Sequence, residues 1–437
     1  MLLRIKIKNF RSFYEETEFD MFPNPKRTSF PNHVYSDQKI PLLKQAAFYG
    51  ANGSGKSNFI EAFNFLKSFV VDKDFMKRMS VSRYVFRLIE KENLDPICFT
   101  LEFKALEEYF IYSVRLSDDS VEEELYASGL GEKENELIYQ RVGSKITAPL
   151  SDHISELKEA IDNMVQNNPK SSLLSLNSEF PILKDKRVAT VSNWFEKQLS
   201  VMKVNTTVPT LIELLSANES LLNFINEMFA NIGVGIEAVK IKSEPLDQWT
   251  TEDYKDFKEM LQKESGSKYY LNLMHMEDKR NIFSMSMENG IRVVKELIFE
   301  QIGANGFHGN LEINNQSDGT IRLLTLIPAL YDAINNKKVV CIDEIDHSIH
   351  PTLMVAIMEY FSSVETNGQL IFTTHETCLL NQQKLMRPDE VWFTEKDNGA
   401  TRLYSLNEFK EHNTLSIEKG YLQGRYGAIP FIGKLGE

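Results

Sequence analysis

A mixed α/β fold is predicted by three features of the sequence. Residues 46–49 (Ala-Ala-Phe-Tyr) read as a short buried strand. They lead through Gly50-Ala-Asn52-Gly53-Ser54-Gly55-Lys56-Ser57 into apolar residues at helical spacing, Phe59, Ala62, Phe63, Leu66, Phe69 and Val70. From about residue 320 to 394, apolar strands alternate with helical segments, the pattern of a parallel sheet. Between 97 and 142, four short strands with short polar connections read as an antiparallel sheet beside that core.

From the amino end, Leu2 to Lys8 alternates apolar and basic residues as a half-buried strand, and Asn9-Phe10-Arg11-Ser12-Phe13 turns the chain into a second one. The antiparallel block comprises 97–103, 109–116, 121–126 and 136–142. Near Ser151 the character changes. Ile154, Leu157, Ile161, Met164 and Val165 keep helical period, as do Leu221, Leu222, Phe224, Ile225, Met228 and Phe229. The pattern divides the chain into a first half of the core (1–150), a mostly helical insertion (151–289) that is a candidate dimerisation or partner module, and a second half of the core (290–437). That second half holds 291–297, a strand around 311–313, a helix from about Thr320 to Ala333, the strand 339–342, a helix from Pro351 to Ser362, and strands at 369–373 and 390–394. Sustained heptads, internal repeats and low-complexity tracts are absent from the sequence.

Composition narrows the function. With 437 residues and 42% hydrophobic content, the chain can bury a large core without staples. Its 49 Lys+Arg against 62 Asp+Glu give a net charge of −13, which argues against coating nucleic acid over the whole surface and leaves a local basic groove open. Cys98, Cys341 and Cys378 lie in apolar runs without metal-ligand spacing, so small buried hydrophobes in a reducing cytoplasm are expected. No run of about eighteen apolar residues is present to span a bilayer, and residues 1–6 alternate like a strand rather than a signal peptide.

The loop at 50–57 fits G-x-x-x-x-G-K-[ST] in full. Glycines let successive N–H groups turn inward around a polyphosphate, and the helix that follows points the positive end of its dipole at it. Lys56 would reach the β- and γ-phosphates of a nucleotide such as ATP, and Ser57 would hold Mg²⁺. The alternative is a glycine-rich turn without nucleotide, which the strand–helix context disfavours. Residues 339–342 form an apolar strand ending in Asp343 and Glu344, acids suited to position Mg²⁺ and to act as general base toward water. A strand ending in a solvated turn is the plain alternative. Thr373-Thr374-His375 closes the next strand, where the histidine could contact a γ-phosphate or be a structural residue. Ser317-Asp318-Gly319-Thr320 opens a helix, as a second anion site or as an ordinary N-cap.

Together Asn9-Phe10-Arg11-Ser12-Phe13, the loop followed by Asn58, Ser317-x-Gly319-Thr320, Ile342-Asp343-Glu344, His350-Pro351 and Thr374-His375 resemble an ABC-type ATPase of the SMC/RecF/OLD superfamily. The resemblance implies an ABC-type P-loop NTPase head with a mixed β-sheet core, an antiparallel β-subdomain and a helical insertion between Lys56 and Asp343. It implies that Gly50, Asn52, Gly53, Ser54, Gly55, Lys56, Ser57 and Asn58 bind ATP, that Ser57 and Asp343 hold Mg²⁺, that Glu344 is the base and His375 the switch histidine. Arg11 would approach the nucleotide, while Ser317 and Gly319 would contact the γ-phosphate of the opposite subunit in a homodimer. Ser317-Asp-Gly-Thr departs from the usual signature, and no glutamine stands between Ser57 and Phe103 for a Q-loop.

A closer resemblance is to stand-alone bacterial anti-phage ATPases called AAA family. The closing segment 424–431 is similar to tails of ATPases that partner RloB-like or TOPRIM nucleases, including the PARIS ATPase subunit. Residues 376–437 are expected to be too short for a TOPRIM nuclease, so an effector nuclease would act in trans, with DNA or a phage protein as a candidate trigger. The rivals are a RecF/SMC-like module that clamps DNA in repair or tethering, and an idle nucleotide-dependent scaffold, disfavoured by the presence of both Asp343 and Glu344.

Overall fold

The structure, a computed structural model, describes residues 1–36, 38–90, 95–147, 152–179, 185–204, 211–249, 258–259, 268–276, 279–381, 385–409 and 416–430. Two compact units emerge: Met1–Val204 with Asp332–Asp346 and Met354–Glu437, and Asn205–Tyr331 with His347–Leu353.

The first unit contains two sheets. One is antiparallel, with strands in the order Lys145–Thr147, Glu136–Val142, Val121–Ala127, Glu108–Leu116, Ile97–Ala105, Leu2–Lys8 and Thr17–Asp20. The other runs Leu199–Met202, Val339–Ile342, Gln369–Thr373, Gln45–Tyr49 and Val391–Asp397 in parallel, then closes on antiparallel Ala400–Ser405. Its inner strands are buried on both faces and therefore read as unbroken apolar runs.

The helix Lys56–Val71 buries residues on nearly all sides because it lies between the two sheets. Its Phe59 stacks on Phe48 of the parallel sheet at 4.3 Å between ring centroids. One face away, Phe65 meets Phe99 of the antiparallel sheet at 5.8 Å. A fully buried glutamine joins the sheets: Gln369 Nε2 donates to the carbonyls of Leu2 (3.0 Å) and Leu43 (3.1 Å), and its Oε1 accepts the Leu2 amide (2.6 Å). The mixed α/β class expected from the sequence, a P-loop core with an antiparallel β-subdomain, is the one observed.

The second unit differs from the expected insertion in bounds and in content. Helices Leu211–Ala217 and Glu219–Ile232 carry the anticipated period, but they accompany a sheet of Ile236–Pro245, Ile291–Ile302, Lys279–Glu288 and Lys268–Met276, with His308–Glu312 also paired to Ile291–Ile302. The strand around 311–313 and the segment 291–297 thus belong to this sheet. Conversely, helices Leu173–Glu179 and Lys186–Asn193 sit in the first unit, where Leu173, Leu174, Val191 and Trp194 join its core. The physical reason is burial. In Ile236–Pro245 only Ile236 and Val239 are buried, so alternation is too weak to announce a strand.

Of the cysteines, Cys341 is buried as expected, whereas Cys98 and Cys378 are partly exposed; all three are free thiols. No helix among the described residues is long and apolar enough to cross a membrane.

Candidate nucleotide site

The glycine-rich loop needs its glycines. Gly53 and Gly55 have φ of +76° and +117°, which side-chain-bearing residues rarely adopt. A Cβ on Gly50 would collide with the carbonyl oxygen of Thr394, and one on Gly55 with the side chain of Thr401. Asn52, Gly53 and Ser57 are exposed at the loop surface, while Ser54 and Lys56 are buried.

Beneath the loop runs a chain of hydrogen bonds. Asn58 Nδ2 donates to Ser12 Oγ at 2.7 Å. Thr401 Oγ1 lies 2.7 Å from both Ser12 Oγ and the Ser54 carbonyl oxygen. Because that carbonyl can only accept, the Thr401 proton goes to it, and Ser12 supplies the proton of the other bond. Ser54 Oγ in turn is 2.6 Å from Thr394 Oγ1. The turn at 9–13 is thereby fixed to the loop. Asn9 reinforces it by accepting the Phe86 amide at 3.1 Å.

Arg11 has φ +55°, and its guanidinium rests on the Tyr84 ring, 4.4 Å from the centroid, with Nη1 3.5 Å from the Arg83 carbonyl. Its cation thus stacks on an aromatic face.

Lys56 Nζ donates to the carbonyls of Gly50 (2.8 Å) and Ala51 (3.2 Å). Burial lowers its pKa to about 8, while the carboxylates of Glu344, Asp343 and Asp346 act in the opposite sense. Those acids lie on the turn after the strand Val339–Ile342, whose parallel neighbour Gln369–Thr373 leads to His375. Asp343 is buried and takes the Thr373 hydroxyl proton at 2.7 Å. Glu344, with φ +48°, donates its amide to the same hydroxyl at 2.7 Å. His375 is held down in pKa by burial first and by the Lys56 ammonium second, with the carboxylates of Asp346, Glu344 and Asp343 acting in the opposite sense.

The structure brings Lys56, Asp343, Glu344 and His375 into one electrostatic cluster at the carboxyl edge of the parallel sheet, where α/β folds place their ligands. Asp346 belongs to it too and was absent from the residues singled out by sequence. Its Oδ2 accepts the His375 amide at 3.3 Å, and its Oδ1 is buried with no hydrogen-bond partner among the described residues. The signal available was a third acid two residues after Glu344.

Ser317 and Gly319 lie in the second unit. Ser317 Oγ accepts the Thr320 amide at 3.2 Å, capping the helix Asp318–Asn335. A Cβ on Gly319 would come 2.9 Å from the Ser348 carbonyl oxygen.

These residues fit a magnesium nucleotide: a cradle that Cβ atoms would fill, a buried ammonium, and an oriented carboxylate. Among the described residues no group of three or more His, Cys, Asp and Glu is placed to hold a metal unaided.

Comparison with protein families gives a match over residues 46–200 and 217–381 to the family described as "AAA domain, putative AbiEii toxin, Type IV TA system". The chain belongs to this AAA-domain family. The match takes in the loop, the acid turn and His375. Among curated proteins, comparison by sequence gives no significant match.

Solved structures with similarity include an SMC head bound to the C-terminal winged-helix domain of ScpA, at 12% identity and a TM-score of 0.44, covering 96% of this chain and 99% of that one. The SMC head domain from Thermotoga maritima has 12% identity and a TM-score of 0.39, covering 92% and 98%. An SMC head with an extended coiled coil, bound to the C-terminal domain of ScpA from Pyrococcus furiosus, has 13% identity and a TM-score of 0.41, covering 97% and 98%.

Proposed function

We propose that this AAA-family chain binds ATP with Mg²⁺ and hydrolyses it, and that its nucleotide-dependent homodimer controls a separate effector, a nuclease, in cytoplasmic anti-phage defence. The observation that carries the ATPase reading is the folded loop, with Gly53 and Gly55 left-handed and Lys56 on the Gly50 and Ala51 carbonyls, at the end of the parallel sheet whose strand Val339–Ile342 leads to Asp343 and Glu344.

Each residue then has a role. The loop amides and Lys56 neutralise the phosphates, Ser57 and Asp343 hold Mg²⁺, and Glu344 accepts a proton from the attacking water. Mg²⁺, when bound, supplies charge neutralisation across the phosphates. His375 offers a ring N–H to the γ-phosphate, and Arg11 adds positive charge at the rim of the site. Ser317 and Gly319 complete the site of the opposite subunit, so that ATP links assembly to control of the partner. The AbiEii-toxin wording of the family and the resemblance to nuclease-partnered defence ATPases support the defence reading.

Mixing of two inactive variants tests the dimer. With Lys56→Ala in one subunit and Ser317→Arg in the other, one composite site keeps both an intact loop and an intact signature. Hydrolysis should partly return on mixing. No recovery despite verified subunit exchange would reduce Ser317 to a helix cap.

A further inference from the structure

Thr373 ends the strand Gln369–Thr373 and is fully buried. Three of its bonds hold the acid turn. Its hydroxyl donates to Asp343 Oδ1 at 2.7 Å and accepts the Glu344 amide at 2.7 Å, and its carbonyl accepts the Ile345 amide at 3.0 Å. A hydroxyl has one proton and two lone pairs, so both of its bonds form together.

The two bonds do different work. Donation to Asp343 Oδ1 fixes the orientation of that carboxylate. Acceptance from Glu344 holds that residue at φ +48°, a conformation a side-chain-bearing residue keeps only where its surroundings dictate it. Asp343 and Glu344 are consecutive, and in an extended strand they would point to opposite faces. The left-handed kink breaks that alternation, and Thr373 is what pins it.

We infer that Thr373 is a positioning residue for phosphoryl transfer, holding the metal acid and the base in fixed relation through one hydroxyl. This rests on the ATPase reading above and adds a residue to it.

The test uses the full chain with Thr373→Val, which keeps the shape and loses the hydroxyl, and Thr373→Ser, which keeps it. ATP binding is titrated with Mg²⁺ and in EDTA, alongside kcat and Tm. In Thr373→Val the half-saturating Mg²⁺ for ATP binding should rise about tenfold and kcat should fall at least as far, as for other outer-shell partners of a metal ligand. Affinity in EDTA should stay near that of the parent, and Thr373→Ser should restore both quantities.

Parent-like Mg²⁺ dependence in Thr373→Val would overturn the inference. So would equal losses in the Val and Ser variants tracking a common fall in Tm. A parent protein that binds ATP without turnover removes the hydrolysis reading alone, since the Mg²⁺ titration still decides the role of Thr373.

Discussion

Thr401 Oγ1 donates to the carbonyl oxygen of Ser54 at 2.7 Å, so a strand near the carboxyl end braces the phosphate-binding loop from below. The same side chain fills the space that a Cβ on Gly55 would need. A loop with two left-handed glycines is entropically costly to order, and this brace orders it before any ligand arrives.

Thr401→Val keeps the volume and removes the donor, leaving the Ser54 carbonyl unpaired in a buried setting. Stability should fall by about 1–3 kcal/mol, measured by chemical denaturation. ATP affinity should weaken as well, because the loop loses its preorganisation. Unchanged stability and affinity would show that the bond is incidental.

Lys56 makes nucleotide binding pH-dependent. Its folded pKa of about 8 lies below the ordinary 10.5, so between those values the unfolded chain holds more protons than the folded one. The group therefore costs stability below about pH 8, and that cost is relieved as pH rises toward 10.5. Phosphate binding works the other way, since it needs the ammonium. ATP affinity should fall as pH rises through about 8, by at most about tenfold per pH unit for one proton taken up. Lys56→Arg, charged at every accessible pH, should flatten the profile, and Lys56→Ala should abolish binding in an equilibrium assay.

The residues proposed to bind and hydrolyse the nucleotide could be named from the sequence because their signals are local. Lys56 and Ser57 sit inside one contiguous motif, and Asp343, Glu344 and His375 each end an apolar strand. What was not legible is the set of residues that hold them. Thr401 meets Ser54 and Ser12 only after the chain has folded back across the whole first unit, and no spacing rule links such distant positions. Thr373 was visible only as a neighbour of His375, because the register that sets it against Asp343 comes from strand pairing. The second unit's sheet was missed for a related reason. Phe283 and Met285 are buried, yet so are Ser284 and Ser286 between and beside them, which blurs the polar–apolar alternation that marks a strand.

The most direct test of the account is ATP turnover by the full chain compared with Glu344→Gln, with ATP binding measured in parallel. The substitution keeps the shape of the side chain and removes the base. Hydrolysis should fall by about two orders of magnitude or more while ATP affinity is retained and an ATP-bound dimer accumulates. Turnover at the parent rate in Glu344→Gln would contradict the account, since it would place the base elsewhere and leave Glu344 an ordinary acid at the end of a strand.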